Sequence, residues 1–186
     1  MIVYLVRHGK DDDTVRGGWS KHGLVPDGVK QVNMLADEMV AKNIKIDYIY
    51  SSDLQRTKET AEILSSYLDC PVEYNKGLRE TNNGDLAGIK HEIANEKYPG
   101  LYWSSLAYDE HYPNGESPEI FYNRVKKTWL ELKNRILDNP SKNFLFVTHQ
   151  GVIEVILCIE NNIVYSNKET HFYVANAQLI PLEIKR

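Results

Sequence analysis

Six short apolar runs, rich in β-branched and aromatic residues, recur along the chain and have the length and composition of buried strands. Several of them are apolar throughout rather than alternating, which is typical of strands covered on both faces. The predicted strands are residues 2–6, 48–50, 72–74, 144–147, 172–174 and 179–184.

Helical periodicity fills most of the intervals between these runs. Asp27 is the predicted N-cap of the first helix, and Ser117 caps a later one that has Pro118 in its first turn. Alternating strands and helices predict an α/β fold, a three-layer sandwich with a mostly parallel central sheet flanked by helices on both faces. Ligands of such folds bind beyond the carboxyl ends of the strands. The apolar stripes are Val29, Val32, Leu35, Ala36 and Met39; Leu54, Thr57, Ala61, Leu64 and Leu68; Phe121, Val125, Trp129, Leu132 and Ile136; and residues 152–159.

Length and uniform composition predict one domain spanning residues 1–186, without repeats or linkers. The least regular segment, around residues 85–113, predicts a short cap-like insertion. It is rich in aromatic residues, of which we expect one or two to face the ligand and to favour a leaving group with an apolar or planar surface. Packing against the body is the expected role of the others. These residues are Tyr98, Tyr102, Trp103, Tyr108 and Tyr112.

Charge and composition narrow the class of partner. The formal net charge of the 186 residues is −4, so the chain lacks the basic field that nonspecific nucleic-acid binding requires. No apolar run has the length of a transmembrane helix or of a signal-peptide core. The two cysteines, Cys70 and Cys158, fit neither a zinc site nor a disulfide framework. We therefore expect a cytoplasmic protein that binds neither nucleic acid nor membrane.

Charged side chains follow the predicted strands where each strand ends. Arg7 and His8 follow the first strand, Arg56 begins the helix after the second, and His149 follows the fourth. Glu80 lies a few residues beyond the short third strand. Each residue alone has an ordinary explanation on a surface or in a loop. At the carboxyl edge of one parallel sheet, however, they can converge in space.

The converging residues would form a pocket for a phosphoryl group. Arg7 and Arg56 offer planar forks to phosphate oxygens and spread charge over them. A neutral His8 imidazole can attack phosphorus in line and form a phosphohistidine. Glu80 can then protonate the leaving alkoxide and deprotonate the attacking water. Apart from the acidic run at residues 11–13, no metal-ligand spacing is present, so neither a metal nor another cofactor is expected.

Five segments resemble the signatures of a known family in the right order: "LVRHGK", "SSDLQRTKETAEIL", "LRETNNGDLAG", "PNGESPEIFYNRV" and "VTHQGVI". They are similar to those of the histidine phosphatase superfamily, the phosphoglycerate-mutase-like proteins, over nearly the whole chain. The resemblance implies that His8 is the nucleophile, Glu80 the proton donor and His149 a further catalytic residue. It also makes Arg7 and Arg56 phosphate ligands.

Further residues are expected to contact substrate. Gly9 lets the backbone approach a ligand, Ser20 lies in a loop that by resemblance borders the pocket together with His22, and Gln150 follows the second histidine. The chain departs from the family pattern at Gln150 and at the acidic run after Lys10. Its short segment between Glu80 and residue 113 favours the phosphatase branch over a mutase.

The function predicted first is a metal-independent phosphomonoesterase, a histidine acid-type phosphatase that acts through a phosphohistidine on a small phosphorylated metabolite. A phosphoglycerate mutase and a noncatalytic domain that binds phosphorylated ligands are the alternatives. Asp11, Asp12 and Asp13 are expected to form a solvated loop; alternatively they lie at the pocket rim and select against polyanionic substrates. The C-terminal strands and Tyr173 are a candidate edge for a homodimer.

Overall fold

A computed structural model describes residues 1–185, and the chain traced there alternates strands with helices. The strands are β1 (Ile2–Arg7), β2 (Tyr48–Ser51), β3 (Val72–Tyr74), β4 (Phe144–Thr148) and β5 (Leu179–Glu183). The α-helices are α1 (Pro26–Ala41), α2 (Gln55–Leu68), α3 (His91–Lys97), α4 (Pro118–Leu137) and α5 (Gln150–Glu160). Five of the six predicted strands and all of the predicted helices are therefore confirmed.

The five strands form one sheet in the order β3-β2-β4-β1-β5. All neighbours run parallel except β5, which pairs antiparallel with β1 at the edge. The predicted mostly parallel sheet is therefore confirmed. Its order places β4 between β1 and β2, so the carboxyl ends of these three strands are adjacent.

Both faces of the sheet are covered by helices. In β4, Phe144 and Phe146 point into a buried cluster with α4 and α5, whereas Leu145 and Val147 point into a second cluster with α1 and α2. A strand covered in this way has no polar face, which explains its continuous apolar sequence. The predicted three-layer sandwich is confirmed.

The predicted strand at residues 172–174 is wrong, because side chains from α5 take the hydrogen bonds that a neighbouring strand would make. The Gln150 amide oxygen accepts from the Val174 N–H at 2.8 Å, and its amide nitrogen donates to the Phe172 carbonyl at 2.7 Å. Glu154 accepts the Phe172 N–H at 2.9 Å. The backbone is thus satisfied without joining the sheet.

One of the two predicted helix N-caps is confirmed. Ser117 caps α4 as predicted, since its Oγ accepts the Ile120 N–H at 3.2 Å. The predicted Asp27 cap is wrong: α1 begins at Pro26, whose ring already has a helical φ, and Val25 occupies the cap position. Asp27 lies in the first turn instead, where its charge favours the positive end of the helix dipole.

The segment expected to be cap-like contains α3 and two short 3-10 helices, Gly84–Leu86 and Trp103–Ser105. It has a small core of its own around Leu86, Leu106 and Tyr112. None of the helices in residues 1–185 has the length and hydropathy needed to span a membrane.

Candidate active site

The two histidines that follow β1 and β4 meet at the carboxyl edge of the sheet. Arg7 lies opposite Thr148 in the strand register, and the His8 N–H donates to the Thr148 carbonyl at 3.0 Å. The rings of His8 and His149 are consequently 5.2 Å apart, and both are almost completely buried. Sequence analysis expected this convergence, and the pairing of neighbouring parallel strands produces it.

His8 has an unprotonated nitrogen at Nε2. Its Nδ1 lies 2.7 Å from the Gly9 carbonyl, which can only accept, so the proton sits on Nδ1. Nε2 in turn accepts a hydrogen bond from Arg56 Nε at 3.2 Å. Burial, reinforced by the charge of Arg56, holds the pKa of His8 well below its usual range. The imidazole is therefore neutral and nucleophilic.

Arg56 lies in the first turn of α2 with only 2% of its surface exposed. Its Nη1 donates to Ser20 Oγ at 3.3 Å and its Nη2 to the Gly18 carbonyl at 2.8 Å. Asp11 Oδ2 lies 3.4 Å from its Nε. The loop after β1 thus folds over the guanidinium and brings Ser20 beside it, while contact of Ser20 with substrate stays a prediction.

Two buried nitrogens of this site, Arg7 Nε and His149 Nδ1, have no hydrogen-bond partner within residues 1–185. Ser52 Oγ lies 2.9 Å from His149 Nε2 and accepts the Leu54 N–H. When the Ser52 hydroxyl donates to Nε2, the His149 proton is on Nδ1. Buried donors of this kind normally have a partner. We call Arg7, His8, Arg56 and His149 the histidine floor.

The Glu80 carboxylate is held beside the start of α5. It accepts the Thr81 N–H at 3.1 Å and the Gly151 N–H at 3.2 Å. A Cβ on residue 151 would lie 2.5 Å from Glu80 Oε1, so only glycine admits the carboxylate here. Gly151 is therefore part of the site, although sequence analysis did not select it.

The backbone that carries Glu80 is fixed by Arg124 of α4. Its guanidinium donates to the carbonyls of Gly77, Arg79 and Glu80 and forms a two-pronged pair with Glu116 at 2.7 and 2.8 Å. Glu116 and Arg124 both belong to "PNGESPEIFYNRV", which the sequence analysis matched to a family signature. The segment acts by positioning Glu80.

A pocket of about 510 Å³ opens beside Glu80, and we call it the outer pocket. Three of the five aromatic residues singled out above line it, one more than expected, whereas Tyr98 and Tyr108 do not. Its other wall is the irregular segment 165–170, together with Arg16, none of which the sequence analysis selected. The three aromatic residues are Tyr102, Trp103 and Tyr112.

Gly9 and Gln150 have structural contacts of their own. The Gly9 N–H donates to Thr60 Oγ1 at 3.1 Å, and a Cβ there would lie 2.6 Å from the Gly28 carbonyl of α1. Close approach of α1 therefore accounts for this glycine. Gln150 lines the outer pocket, but both ends of its amide bond to residues 172–174. A substrate contact by either residue stays a prediction.

The acidic run does not behave as one solvated loop. Asp11 points inward, 20% exposed, against Arg56. Asp12 accepts from the N–H and hydroxyl of Thr14 and lies 3.6 Å from His22. Only Asp13 is fully at the surface. The expectation of a solvated loop is therefore wrong for Asp11, because its carboxylate pairs with the buried Arg56 instead of facing solvent.

Comparison with known proteins identifies the family. The model of the histidine phosphatase superfamily (branch 1) matches residues 3–186. The chain belongs to this superfamily. The resemblance given by its five motifs is confirmed, and the floor, Glu80 and the outer pocket are the candidate active site of this superfamily member.

Relatives of this superfamily member include several phosphatases. A protein of Hydrogenobacter thermophilus provisionally named phosphoserine phosphatase 2 is 32% identical over 89% of this chain and 81% of its own. Rat 6-phosphofructo-2-kinase/fructose-2,6-bisphosphatase 3 is 30% identical over 83% of this chain, which spans only 27% of that relative. A mycobacterial glucosyl-3-phosphoglycerate phosphatase solved with inorganic phosphate superposes with a TM-score of 0.78 at 27% identity, over 98% of this chain and 89% of that one.

Proposed function

We propose that the protein is a metal-independent phosphomonoesterase, of the histidine acid-type, that forms a phosphohistidine at His8. One observation carries the proposal: the unprotonated Nε2 of a neutral His8 lies in a buried site in which Arg7 Nε and His149 Nδ1 have no partner within residues 1–185. A phosphate group held there would give Arg7 Nε and His149 Nδ1 the acceptors they lack. Arg56 adds a buried positive charge without a metal ion.

In the first step, His8 Nε2 attacks phosphorus and the bond between phosphorus and the ester oxygen breaks. Arg7 and Arg56 stabilise the charge that develops on the equatorial oxygens. Protonated Glu80 gives its proton to the departing oxygen and becomes a carboxylate. The alcohol leaves through the outer pocket, and the phosphoryl group stays on His8.

In the second step, water takes the place of the departed alcohol. Glu80, now a carboxylate, accepts a proton from the water as its oxygen attacks phosphorus. The bond between phosphorus and Nε2 breaks, inorganic phosphate is released, and both His8 and Glu80 regain their starting protonation states. The cycle needs no further reactant.

We propose a small phosphorylated metabolite as the substrate. The phosphatase relatives are named for compounds of this size, and a pocket of about 510 Å³ accommodates one. The aromatic wall supports the expectation that an apolar or planar leaving group is favoured. Two free, buried cysteines, Cys70 and Cys158, support the expected cytoplasmic location.

The proposal is tested with a panel of phosphate esters, assayed with and without EDTA, together with acid-quench trapping of phosphoprotein. We expect EDTA-resistant release of phosphate and a labelled protein that loses its label in His8→Ala. That substitution should reduce turnover by about 10³-fold or more, whereas His111→Ala, at an exposed histidine, should not.

Each alternative has its own signature in the same assays. Interconversion of 2- and 3-phosphoglycerate faster than their hydrolysis would identify a mutase. Binding of esters with no phosphoprotein and no turnover would identify a noncatalytic domain. Activity unchanged in His8→Ala would refute the mechanism.

A further inference from the structure

Asp11 places a carboxylate inside the pocket that we propose binds the phosphate group of the substrate. Its Oδ2 lies 3.4 Å from Arg56 Nε, and its Oδ1 lies 4.0 Å from His8 Nδ1. The backbone of Asp11 is anchored by a bridge to Leu24, so the side chain starts from a fixed point. Neither Asp12 nor Asp13 reaches the guanidinium, which makes Asp11 distinct from its neighbours.

This contact conflicts with phosphate binding. Arg56 Nε is the donor nearest to the nucleophilic Nε2 of His8, at 3.2 Å, so a phosphate group seated for attack needs the same edge of the guanidinium. A carboxylate and a phosphate dianion a few ångströms apart repel strongly in a buried site. The carboxylate must therefore move away or lose its charge when phosphate enters.

We propose that Asp11 competes with the substrate's phosphate group for Arg56, so that the floor takes up a phosphate dianion together with one proton. Asp11 then acts as a specificity-determining residue: neutral Asp11 donates a hydrogen bond toward the bound oxyanion, and charged Asp11 excludes it. The inference rests on the phosphate pocket of the proposed function, but it does not depend on turnover.

The direction of the proton linkage follows from the groups that face Asp11. They are His8, Arg7 and Asp12 from its own loop and Arg56 from α2. Burial raises the pKa of the Asp11 carboxyl above its usual value, and Arg56 opposes that shift. A bound dianion occupies Arg56 and adds negative charge, so the pKa rises further in the complex. The complex binds more protons than the free protein, and affinity increases as pH falls.

The test uses sulfate as the probe, because sulfate is a tetrahedral dianion that does not itself titrate in the range examined. Its binding is measured by calorimetry between about pH 5 and pH 8, the range in which an ordinary histidine would titrate. The proteins are the wild type, Asp11→Asn, Asp11→Ser and, as the matched control, Asp13→Asn. His8 and His149 are present in all four proteins, and Asp13→Asn controls for the removal of one acidic charge from the same loop.

We expect the sulfate affinity of the wild type and of Asp13→Asn to fall as pH rises, and to fall more steeply than that of the two Asp11 variants. The difference in slope should reach up to about tenfold per pH unit. Near neutral pH, the Asp11 variants should bind sulfate roughly tenfold or more tightly than the wild type. In kinetic assays the same change should appear as a lower KM for phosphate esters at neutral pH.

Equal pH slopes in all four proteins, or weaker sulfate binding by both Asp11 variants, would overturn the proposal and make Asp11 a residue that only orients Arg56. Absence of sulfate binding by every protein would overturn it together with the phosphate pocket. A clear pH difference without any phosphoprotein would instead uphold this inference and refute the covalent mechanism, so the two failures are distinguishable.

Discussion

The histidine floor and the outer pocket lie side by side but are built in different ways. Each floor residue ends a parallel strand, follows one directly or lies in the first turn of the next helix, and the two histidines and Arg56 are at most 4% exposed. The outer pocket is lined largely by irregular segments beside the start of α5, with Arg16 stacked at 4.2 Å over the ring of the exposed Tyr102. Glu80 lies at the boundary, because it lines the outer pocket and its charge acts on Arg56 of the floor.

This difference separates reaction chemistry from substrate choice. The sheet fixes the floor, because moving His8 relative to His149 would require breaking hydrogen bonds between β1 and β4. The loops of the outer pocket can vary in sequence and length without disturbing that register. Changes at the floor should therefore abolish turnover for every ester, whereas changes in the outer pocket should alter the ranking of esters.

Several substitutions test this division between the histidine floor and the outer pocket. The largest effect is expected at Glu80, which lies at the boundary between them. Glu80→Gln removes the proposed proton donor and acceptor, so turnover of alkyl phosphates should fall by about 10²- to 10⁴-fold. With p-nitrophenyl phosphate the departing phenolate needs no proton, so the first step should survive while attack by water fails. Rapid mixing should then show a burst of p-nitrophenolate close to one per active site.

Glu131→Gln, at an exposed carboxylate of α4, is the control and should show wild-type kinetics with both esters. The assignment of Glu80 would be contradicted if Glu80→Gln hydrolysed alkyl and aryl esters at wild-type rates. A deep loss on both esters without any burst would show that the first step needs Glu80 for more than protonation of the leaving group.

The floor could be predicted from the sequence because its residues lie at the ends of paired strands. The outer pocket could not, because its residues lie mostly in irregular segments. Parallel strands end at one edge, so His8, Arg56 and His149 were expected to meet once the strands were recognised. The inward turn of Asp11 depends on φ and ψ within a short loop, and no periodicity reports it. Residues 165–170 likewise carry no pattern, and the wrong strand at 172–174 arose because apolar composition cannot show that Gln150 and Glu154 take its backbone bonds.

A smaller effect is expected when the support of Glu80 is removed while Glu80 itself remains. Arg124→Met deletes the bonds to three carbonyls and to Glu116, so Glu80 should lose its fixed position and kcat should fall about 10- to 100-fold. KM should change little, since the floor still binds phosphate. Arg124→Lys keeps the charge but not the two-pronged geometry and should restore only part of kcat.

Measuring kinetics and folding stability together distinguishes a loss of Glu80 positioning from a general loss of stability in the Arg124 variants. Loss of the partly buried pair should also lower the free energy of unfolding by about 1–3 kcal/mol, measured by urea denaturation. A variant with wild-type kcat despite that loss of stability would show that Arg124 holds the fold and not Glu80.

The smallest effect is expected at the aromatic wall of the outer pocket, where a single contact changes binding and leaves the chemistry intact. Tyr102→Leu removes a ring from the lining, so KM for aryl phosphates should rise about 2- to 10-fold, the amount that one aromatic contact contributes. Because kcat and the KM for a small alkyl phosphate depend on the floor, both should stay at wild-type values. Tyr108→Leu is the matched control, since Tyr108 belongs to the same segment but does not line the pocket. If Tyr102→Leu instead lowered kcat for all esters equally, the outer pocket would take part in catalysis, and the division between the two regions would be wrong.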